Sequence, residues 1–465
     1  MCYFSCYTIA DMNQTIPAFI KDTYSIIKSG GYEVYLVGGS VRDLLLQKPI
    51  KDWDFTTSAA PEQILQLFPQ GFYDNKFGTV GIPVETAPDG QRSILEITTF
   101  RTEDGYSDSR HPENVNWGKS LADDVQRRDF TINALAMELD SNQILDYVNG
   151  QDDLHRRIIK TVGDAKQRFK EDALRLMRAI RFATQLGFQI EEKTLLAIKN
   201  DAKLLQNISK ERIRDELLKI LSSEYPYEGV LLLKNTGLLE YILPELLEGI
   251  SVSMVRPGRH HTTEVFEHNL LALRYCPSTD PIIRLAALIH DIAKPRVRSE
   301  DKNGLVIFHN HELVGAKMAA MIADRLRLSK KQKEKIVTLV RWHMFTVDEH
   351  ITDAAVRRFI RRVGVENVKD ILDVRIADRL GSGTKTAESW RLIEFKKRIE
   401  EQLSPAPFSI NDLAIDGNDI MQELNLKPSK EVGEILQKLF TEVDEDLSKN
   451  SREYLLNRIK DKRSA

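Results

Sequence analysis

Leu36-Val37-Gly38-Gly39-Ser40-Val41-Arg42-Asp43, followed downstream by Lys51-Asp52-Trp53-Asp54-Phe55-Thr56, is the stretch whose reading decides the fold. An apolar run that turns through two glycines into a helix-like segment predicts strand, tight turn and helix. Glycine lets a backbone approach a ligand closely, and a helix start offers free N–H groups to an anion. Gly38 and Gly39 are therefore a candidate triphosphate cradle with Arg42 as charge partner, although such a turn also serves purely structural ends. In a strand, positions i and i+2 face one side, so Asp52 and Asp54 project together while Trp53 and Phe55 face the other way. Two neighbouring carboxylates repel unless a cation joins them. Mg²⁺ takes one or two carboxylates plus phosphate oxygens, which makes the pair a candidate for activating a hydroxyl and steadying a departing pyrophosphate. The alternative is a strand edge with solvated aspartates.

Outward from this stretch, further β-rich segments fall at Val34 to Val37, Trp53 to Thr56, Gly78 to Pro83, Ile94 to Thr99 and Ile132 to Glu138, separated by turn residues. They predict a mixed sheet with helices. After Asp164 apolar residues recur three and four apart, as in Leu174 to Leu186, Ile213 to Leu221 and Leu231 to Leu239, so the remainder is expected to be α-helical. A Pro-rich joint at Ser404 to Phe408 sets off a last helical tail. There is no internal repeat and no low-complexity tract.

The chain has 465 residues, more than one hydrophobic core usually supports, and its 42% hydrophobic and 29% charged residues describe a globular protein. No apolar run reaches the roughly 18 residues of a membrane-spanning helix. Met1 to Asp11 lacks the basic start of a signal peptide, and Met12 is an alternative start. Three cysteines, Cys2, Cys6 and Cys276, form neither a disulfide framework nor a zinc quartet and point to the cytoplasm. A net charge of −3 confines any RNA-binding surface to a local patch. Arg357-Arg358 with Arg361-Arg362 is one candidate patch, a solvated face the plainer explanation.

Gly38 to Asp43 followed by Asp52-Trp53-Asp54 resembles the signature of the class II tRNA nucleotidyltransferase and bacterial poly(A) polymerase family, a branch of the polymerase-β-like nucleotidyltransferases. Glu96 to Arg101, leading into Tyr106 and Arg110-His111-Pro112, is similar to the strand and flexible loop that follow that family's catalytic aspartates, so Glu96 is a candidate third carboxylate. Arg127 to Met137 resembles its ribose and phosphate motif. There Arg128 suits triphosphate oxygens, and Asp129 and Asn133 can bond the ribose hydroxyls.

Lys170 to Phe182 carries the pattern of the family's protein template. On a helix, Glu171, Arg175 and Arg178 lie along one face with Asp172 alongside Arg175. The resemblance implies that Asp172 and Arg175 bond the base of incoming CTP or ATP, that Glu171 holds the arginine, and that Arg178 and Arg181 reach the phosphates. A carboxylate accepts and a guanidinium donates in the base plane, which is how side chains imitate a pairing partner. Glu211 to Leu217 resembles the helical motif that braces the neck, and its expected role is structural.

A second constellation, His268, His290-Asp291, His309-Asn310-His311, His343 and Asp378, is similar in order to an HD-superfamily metal-dependent phosphohydrolase domain. The resemblance implies one metal on His268, His290, Asp291 and Asp378, with His311 and His343 for a second ion. Imidazole and carboxylate suit Mn, Ni, Fe or Zn. Such a site would hydrolyse a phosphate, for instance at a damaged RNA end.

The expected architecture is a multi-domain α+β chain with a polymerase-β-like mixed α/β nucleotidyltransferase head followed by an all-α neck, HD domain and tail. Its bounds are an N-terminal extension at 1–16, the head at 17–150, the neck or RNA-binding domain at 151–250, the HD domain at 251–385 and the helical tail at 386–465. The expected activity is addition of CCA to the 3′ end of tRNA from CTP and ATP with Mg²⁺. CC-only or A-only addition, poly(A) polymerase, and an HD phosphohydrolase with an inactive head are the alternatives. The oligomeric state is left open.

Overall fold

The computed structural model describes residues 16–50, 52–73, 78–85, 92–106, 112–117, 120–254, 263–345, 351–384, 386–403 and 409–461. The chain forms two compact units, Met1–Leu247 and Glu248–Ala465. Among the described residues no helix is long and apolar enough to cross a membrane.

The first unit is built on strands β1 (Val34–Val37), β2 (Asp54–Thr57), β3 (Phe72–Tyr73), β4 (Thr79–Glu85), β5 (Arg92–Thr99), β6 (Arg101–Tyr106), β7 (Pro112–Trp117), β8 (Ala136–Glu138) and β9 (Gln143–Leu145). Seven make one mixed sheet in the order β3-β4-β5-β2-β1-β8-β9, and β6 and β7 form a separate hairpin. β1 is central, with Leu36 fully buried. Its last residue, Val37, pairs antiparallel with the first residue of β2, Asp54, and on its other side with Ala136 of β8. β2 runs parallel to β5 in a register that sets Asp54 opposite Glu96. The glycine turn after Val37 thus meets both aspartate and glutamate at one edge of the sheet.

Sequence and structure differ at particular points. Asp52 lies outside β2, so strand alternation does not align it with Asp54. Ile132 to Glu138 is one 3₁₀ turn, Thr131–Asn133, followed by the three-residue β8. The turn places Asn133 beside the glycines, and Gly38 N–H donates to Leu135 O at 3.3 Å. Leu231 to Leu239 is broken, because Pro226–Asn235 ends before Leu239–Ile242 begins. The ends of the expected flexible loop, Tyr106 and Pro112, pair in the β6-β7 hairpin. Arg110, His111 and the Ser404 to Phe408 joint lie outside the described residues.

Four helices complete the first site: α1 (Gly39–Leu45), α2 (Leu121–Gln126), α3 (Arg175–Leu186) and α4 (Lys210–Leu221). Val41 and Leu44 of α1 and Leu176, Met177, Ala179 and Ile180 of α3 are buried, as three-and-four spacing requires of a core-facing stripe.

The second unit is helical: α5 (Val265–Tyr275), α6 (Pro281–Ile289), α7 (His311–Arg325), α8 (Lys330–Trp342), α9 (Asp353–Val363), α10 (Val368–Gly381), α11 (Trp390–Leu403) and a tail that includes α12 (Lys430–Glu445). A core of Ala272, Ile283, Ala286, Leu339, Ile371 and Val374 joins α5, α6, α8 and α10. Gly381 makes the α5–α10 approach close, since a Cβ there would stand 2.8 Å from Ala272 N and 3.2 Å from His268 O.

The proposed basic patch of α9 is half structural. Arg357 is buried and donates from Nε to Asp444 Oδ1 at 2.7 Å and from Nη1 to Gln402 Oε1 at 2.9 Å. Arg361 bonds the same carboxylate and covers the Phe440 ring at 4.9 Å. These arginines tie α9 to α12 rather than facing a polyanion. Arg361 still pairs with Asp444 when Arg357 is removed, but the buried bonds of Arg357 are lost, so Arg357→Met is expected to destabilise the second unit by about 1–3 kcal/mol. Thermal and urea unfolding check this, and an unchanged midpoint would refute it.

Candidate functional site

The first site is a cleft of about 1030 Å³ in the first unit, lined by Gly38, Gly39, Arg42, Asp52, Asp54, Arg128, Asp129, Asn133, Asp172, Arg175, Arg178 and Arg181 among others. It gathers every expected nucleotide-site residue except Glu96, which borders Asp54 on β5, and Glu171, which reaches the cleft through Arg175. Gly38 has φ +77°, and a first side-chain carbon there would stand 3.3 Å from Arg128 Nη1 and 3.8 Å from Asp54 Oδ2. That dihedral strains any residue with a side chain, which is why glycine stands here.

Asp54 is the charge-stressed member. Burial, reinforced by Glu96 and Asp52 and opposed by Arg128, pushes its carboxyl up to about 6. A bound divalent cation would relieve that stress, and Asp52 and Asp54 are the residues placed to hold one. Metal binding then competes with protons below the raised pKa. Apparent Mg²⁺ affinity is expected to fall by up to about ten-fold per pH unit below about 6, with proton release on binding. Titration calorimetry between pH 5 and 8 checks this, and a flat profile would exclude Asp54 as ligand.

The cationic wall is ordered by buried carboxylates. Asp129 accepts from Phe130 N at 2.8 Å, Asn133 Nδ2 at 3.3 Å, Arg178 Nε at 2.7 Å and Arg178 Nη2 at 2.5 Å. Burial disfavours its charge, but Arg178 and Arg175 outweigh that and hold it at about 2. Four bonds fill the lone-pair positions of a carboxylate, so Asp129 orients Arg178 and Asn133 instead of facing a sugar. Arg42 donates to Asn133 Oδ1 at 2.6 Å. Asp124 anchors Arg127 at 2.6 Å and Arg128 at 3.0 Å. Burial, then the neighbouring Arg178, lowers Arg181 to about 10 despite its 2.8 Å bond to Glu216. This cleft is short of negative charge.

The template segment is not one helix, as the spacing suggested. Ala165–Glu171 ends at Asp172, whose backbone is extended at φ −140° and ψ 104°, and α3 starts at Arg175. Asp172 accepts from Leu174 N at 3.0 Å, a local side-chain bond that competes with helical continuation. Arg175 donates from Nη1 to Glu171 Oε2 at 2.6 Å and Arg168 O at 3.2 Å, and from Nη2 to Arg127 O at 3.2 Å. Sequence analysis missed Arg212, which it assigned to structure. From α4 it lines the cleft and donates to Asp172 Oδ1 at 3.3 Å and Oδ2 at 2.8 Å. No local pattern signals a contact across forty residues.

The second unit brings together all six expected ligands. Carboxylate and imidazole atoms of His268, His290, Asp291 and Asp378 lie within 4.8 Å of one another, as do those of Asp291, His311 and His343. Asp291 faces both groups: Oδ2 is 3.2 Å from His268 Nε2 and 3.3 Å from His290 Nε2, and Oδ1 is 3.3 Å from His311 Nε2 and 3.6 Å from His343 Nε2. His290, His311 and His343 each set Nδ1 2.8 Å from the carbonyl three residues earlier, Ala287, Phe308 and Val340. A carbonyl only accepts, so these Nδ1 atoms donate, which leaves the inward Nε2 of each ring as its position for a metal. The Nε2 atoms of His268 and His290 lie 3.0 Å apart, and those of His311 and His343 3.3 Å apart. Such a donor set fits a transition-metal cation, with the carbonyls as outer partners that fix each ring. Burial opposes charge on His290, yet Asp291 and Asp378 push it up to about 10, so a proton on Nε2 fills this place until a cation displaces it.

Comparison with known proteins agrees with this geometry. Residues 34–160 match a model for the poly A polymerase head domain, 187–249 one described as "Probable RNA and SrmB- binding site of polymerase A", and 299–459 one for tRNA nucleotidyltransferase domain 2. Three parts of the chain thus each match a domain model from the tRNA nucleotidyltransferases and poly(A) polymerases. Similar proteins include CCA-adding enzymes. That of Geobacillus kaustophilus is 46% identical over 217 residues, 46% of this chain and 52% of the relative, and that of Lactobacillus helveticus is 48% identical over 215 residues, 46% and 52%. The chain thus spans about half the length of the curated relatives it matches. The crystal structure of Bacillus stearothermophilus CCA-adding enzyme in complex with CTP is 26% identical, with a TM-score of 0.71 over 97% of this chain and 98% of that one.

Proposed function

We propose that the chain adds CCA to the 3′ end of tRNA, taking C from CTP and A from ATP. One observation carries the reading: the hydrogen-bonding capacity left on Asp172 and Arg175. Asp172 uses three of about four acceptor positions, on Arg212 twice and on Leu174 N, so one remains. Arg175 uses three of five donors, so two remain. Cytosine and adenine both pair an exocyclic amino donor with an adjacent ring-nitrogen acceptor. Uracil and guanine reverse that order, placing a carbonyl against the carboxylate and an N–H against the guanidinium. The pair therefore selects C and A without a nucleic-acid template.

Asp52 and Asp54, with Glu96 alongside, would hold Mg²⁺, which when bound would supply charge neutralisation at the α-phosphate and a lowered pKa for the attacking hydroxyl. The protein's own part is positional. Arg42, Arg128, Arg178 and Arg181 neutralise the triphosphate, Asn133 keeps one amide hydrogen for a ribose hydroxyl, and Gly38 and Gly39 leave room for the phosphates at the sheet edge. Cysteine usage favours the cytoplasm.

The second unit supports a second reading, a metal-dependent phosphohydrolase acting at RNA ends, carried by the cluster of imidazoles and carboxylates around Asp291. One assay separates the head's alternatives. tRNA lacking its last three, two or one nucleotides is incubated with each labelled NTP and the products are sequenced. CCA at every stage supports the proposal; CC-only, A-only or oligo(A) products replace it with the corresponding alternative.

A further inference from the structure

We infer that Arg212 is the positioning residue that sets discrimination between amino-bearing and carbonyl-bearing bases. The inference rests on the proposed pairing of Asp172 with the incoming base. Asp172 follows the last turn of one helix and precedes the next, in extended backbone. Within this linker only Leu174 N holds its carboxylate, on Oδ1 at 3.0 Å. The opposite grip comes from α4, where Arg212 takes both oxygens at 3.3 and 2.8 Å. A two-point guanidinium fork fixes the plane of a carboxylate as a single-point contact cannot.

That plane matters for base choice. A carboxyl free to rotate presents a different number of lone pairs to the cleft. Arg212 suppresses that rotation and leaves one acceptor on Asp172 beside the two spare donors of Arg175. Arg212 is itself partly exposed, with 27% of its side chain accessible, so it is not a core element whose loss unfolds the unit.

The test uses the full-length protein and tRNA lacking its last nucleotides, with kcat and KM measured for CTP, ATP, UTP and GTP. Arg212→Gln is expected to lower the CTP-to-UTP and ATP-to-GTP ratios of kcat/KM at least ten-fold, chiefly by raising KM for CTP and ATP. Arg212→Lys keeps the charge without the fork and should restore part of the ratio. In an Asp172→Asn background, Arg212→Gln should add little. If Asp172→Asn lowers discrimination while Arg212→Gln does not, the Arg212 inference fails and the base-pairing reading stands. If Asp172→Asn itself keeps full discrimination, that reading fails. Equal losses from Arg212→Gln in both backgrounds would reduce Arg212 to a brace and overturn the inference. Melting temperatures serve as control, and if Arg212→Gln does not fold, Arg212→Lys decides: an unchanged CTP-to-UTP ratio with an unchanged KM for CTP would overturn the inference.

Discussion

Asp54→Asn is expected to lower nucleotide addition by about a thousand-fold or more while raising the melting temperature of the ligand-free protein. A metal centre at the reacting phosphate is worth several kcal/mol, and each 1.4 kcal/mol is about a factor of ten in rate. The opposite sign for stability follows from the raised pKa. A carboxyl whose folded value lies at about 6, above its usual range, costs the folded state stability as pH rises through that window, because the folded chain must give up a proton that the unfolded chain has already lost. The amide removes the charge and its repulsion with Glu96. Activity near that of the unsubstituted protein would reject the site. A lowered melting temperature at pH 7 would show that Asp54 is structural.

The second large effect is expected at Asp291. Asp291→Asn should reduce transition-metal content after purification to below one tenth of that of the unsubstituted protein, at both positions together. Partners outside the coordination sphere are worth roughly 10–100-fold in metal affinity, and a direct ligand shared by two clusters is worth more. Addition of nucleotides should be unaffected, since the cleft is lined wholly by residues of the first unit. Elemental analysis alongside the addition assay checks both halves. Retention of metal at one position would show that Asp291 is not shared.

Much of this was legible in the chain because it is local. The strand Val34 to Val37 appears as expected, and the glycine turn beside Asp54 follows from an apolar run, two glycines and a paired acidic motif. The histidines and aspartates were found by residue type and order, although their convergence at helix ends is a tertiary fact. What escaped was non-local. The break at Asp172 arises from one side-chain bond that overrides helical periodicity, and α4 supplies Arg212 from forty residues away. Arg357 and Arg361 read as a patch for polyanions because their partner, Asp444, lies over eighty residues further on. The shared orientation of Asp129 toward Arg178 was hidden for the same reason.

The parallel register that sets Asp54 opposite Glu96 has a practical result. Like charges crowded at one spot make the vacant head less heat-resistant than the loaded one, by an amount that grows with ligand concentration over its dissociation constant. Thermal denaturation thereby becomes a simple occupancy gauge: salts and nucleotides can be ranked by how far each postpones melting, with neither RNA nor turnover required.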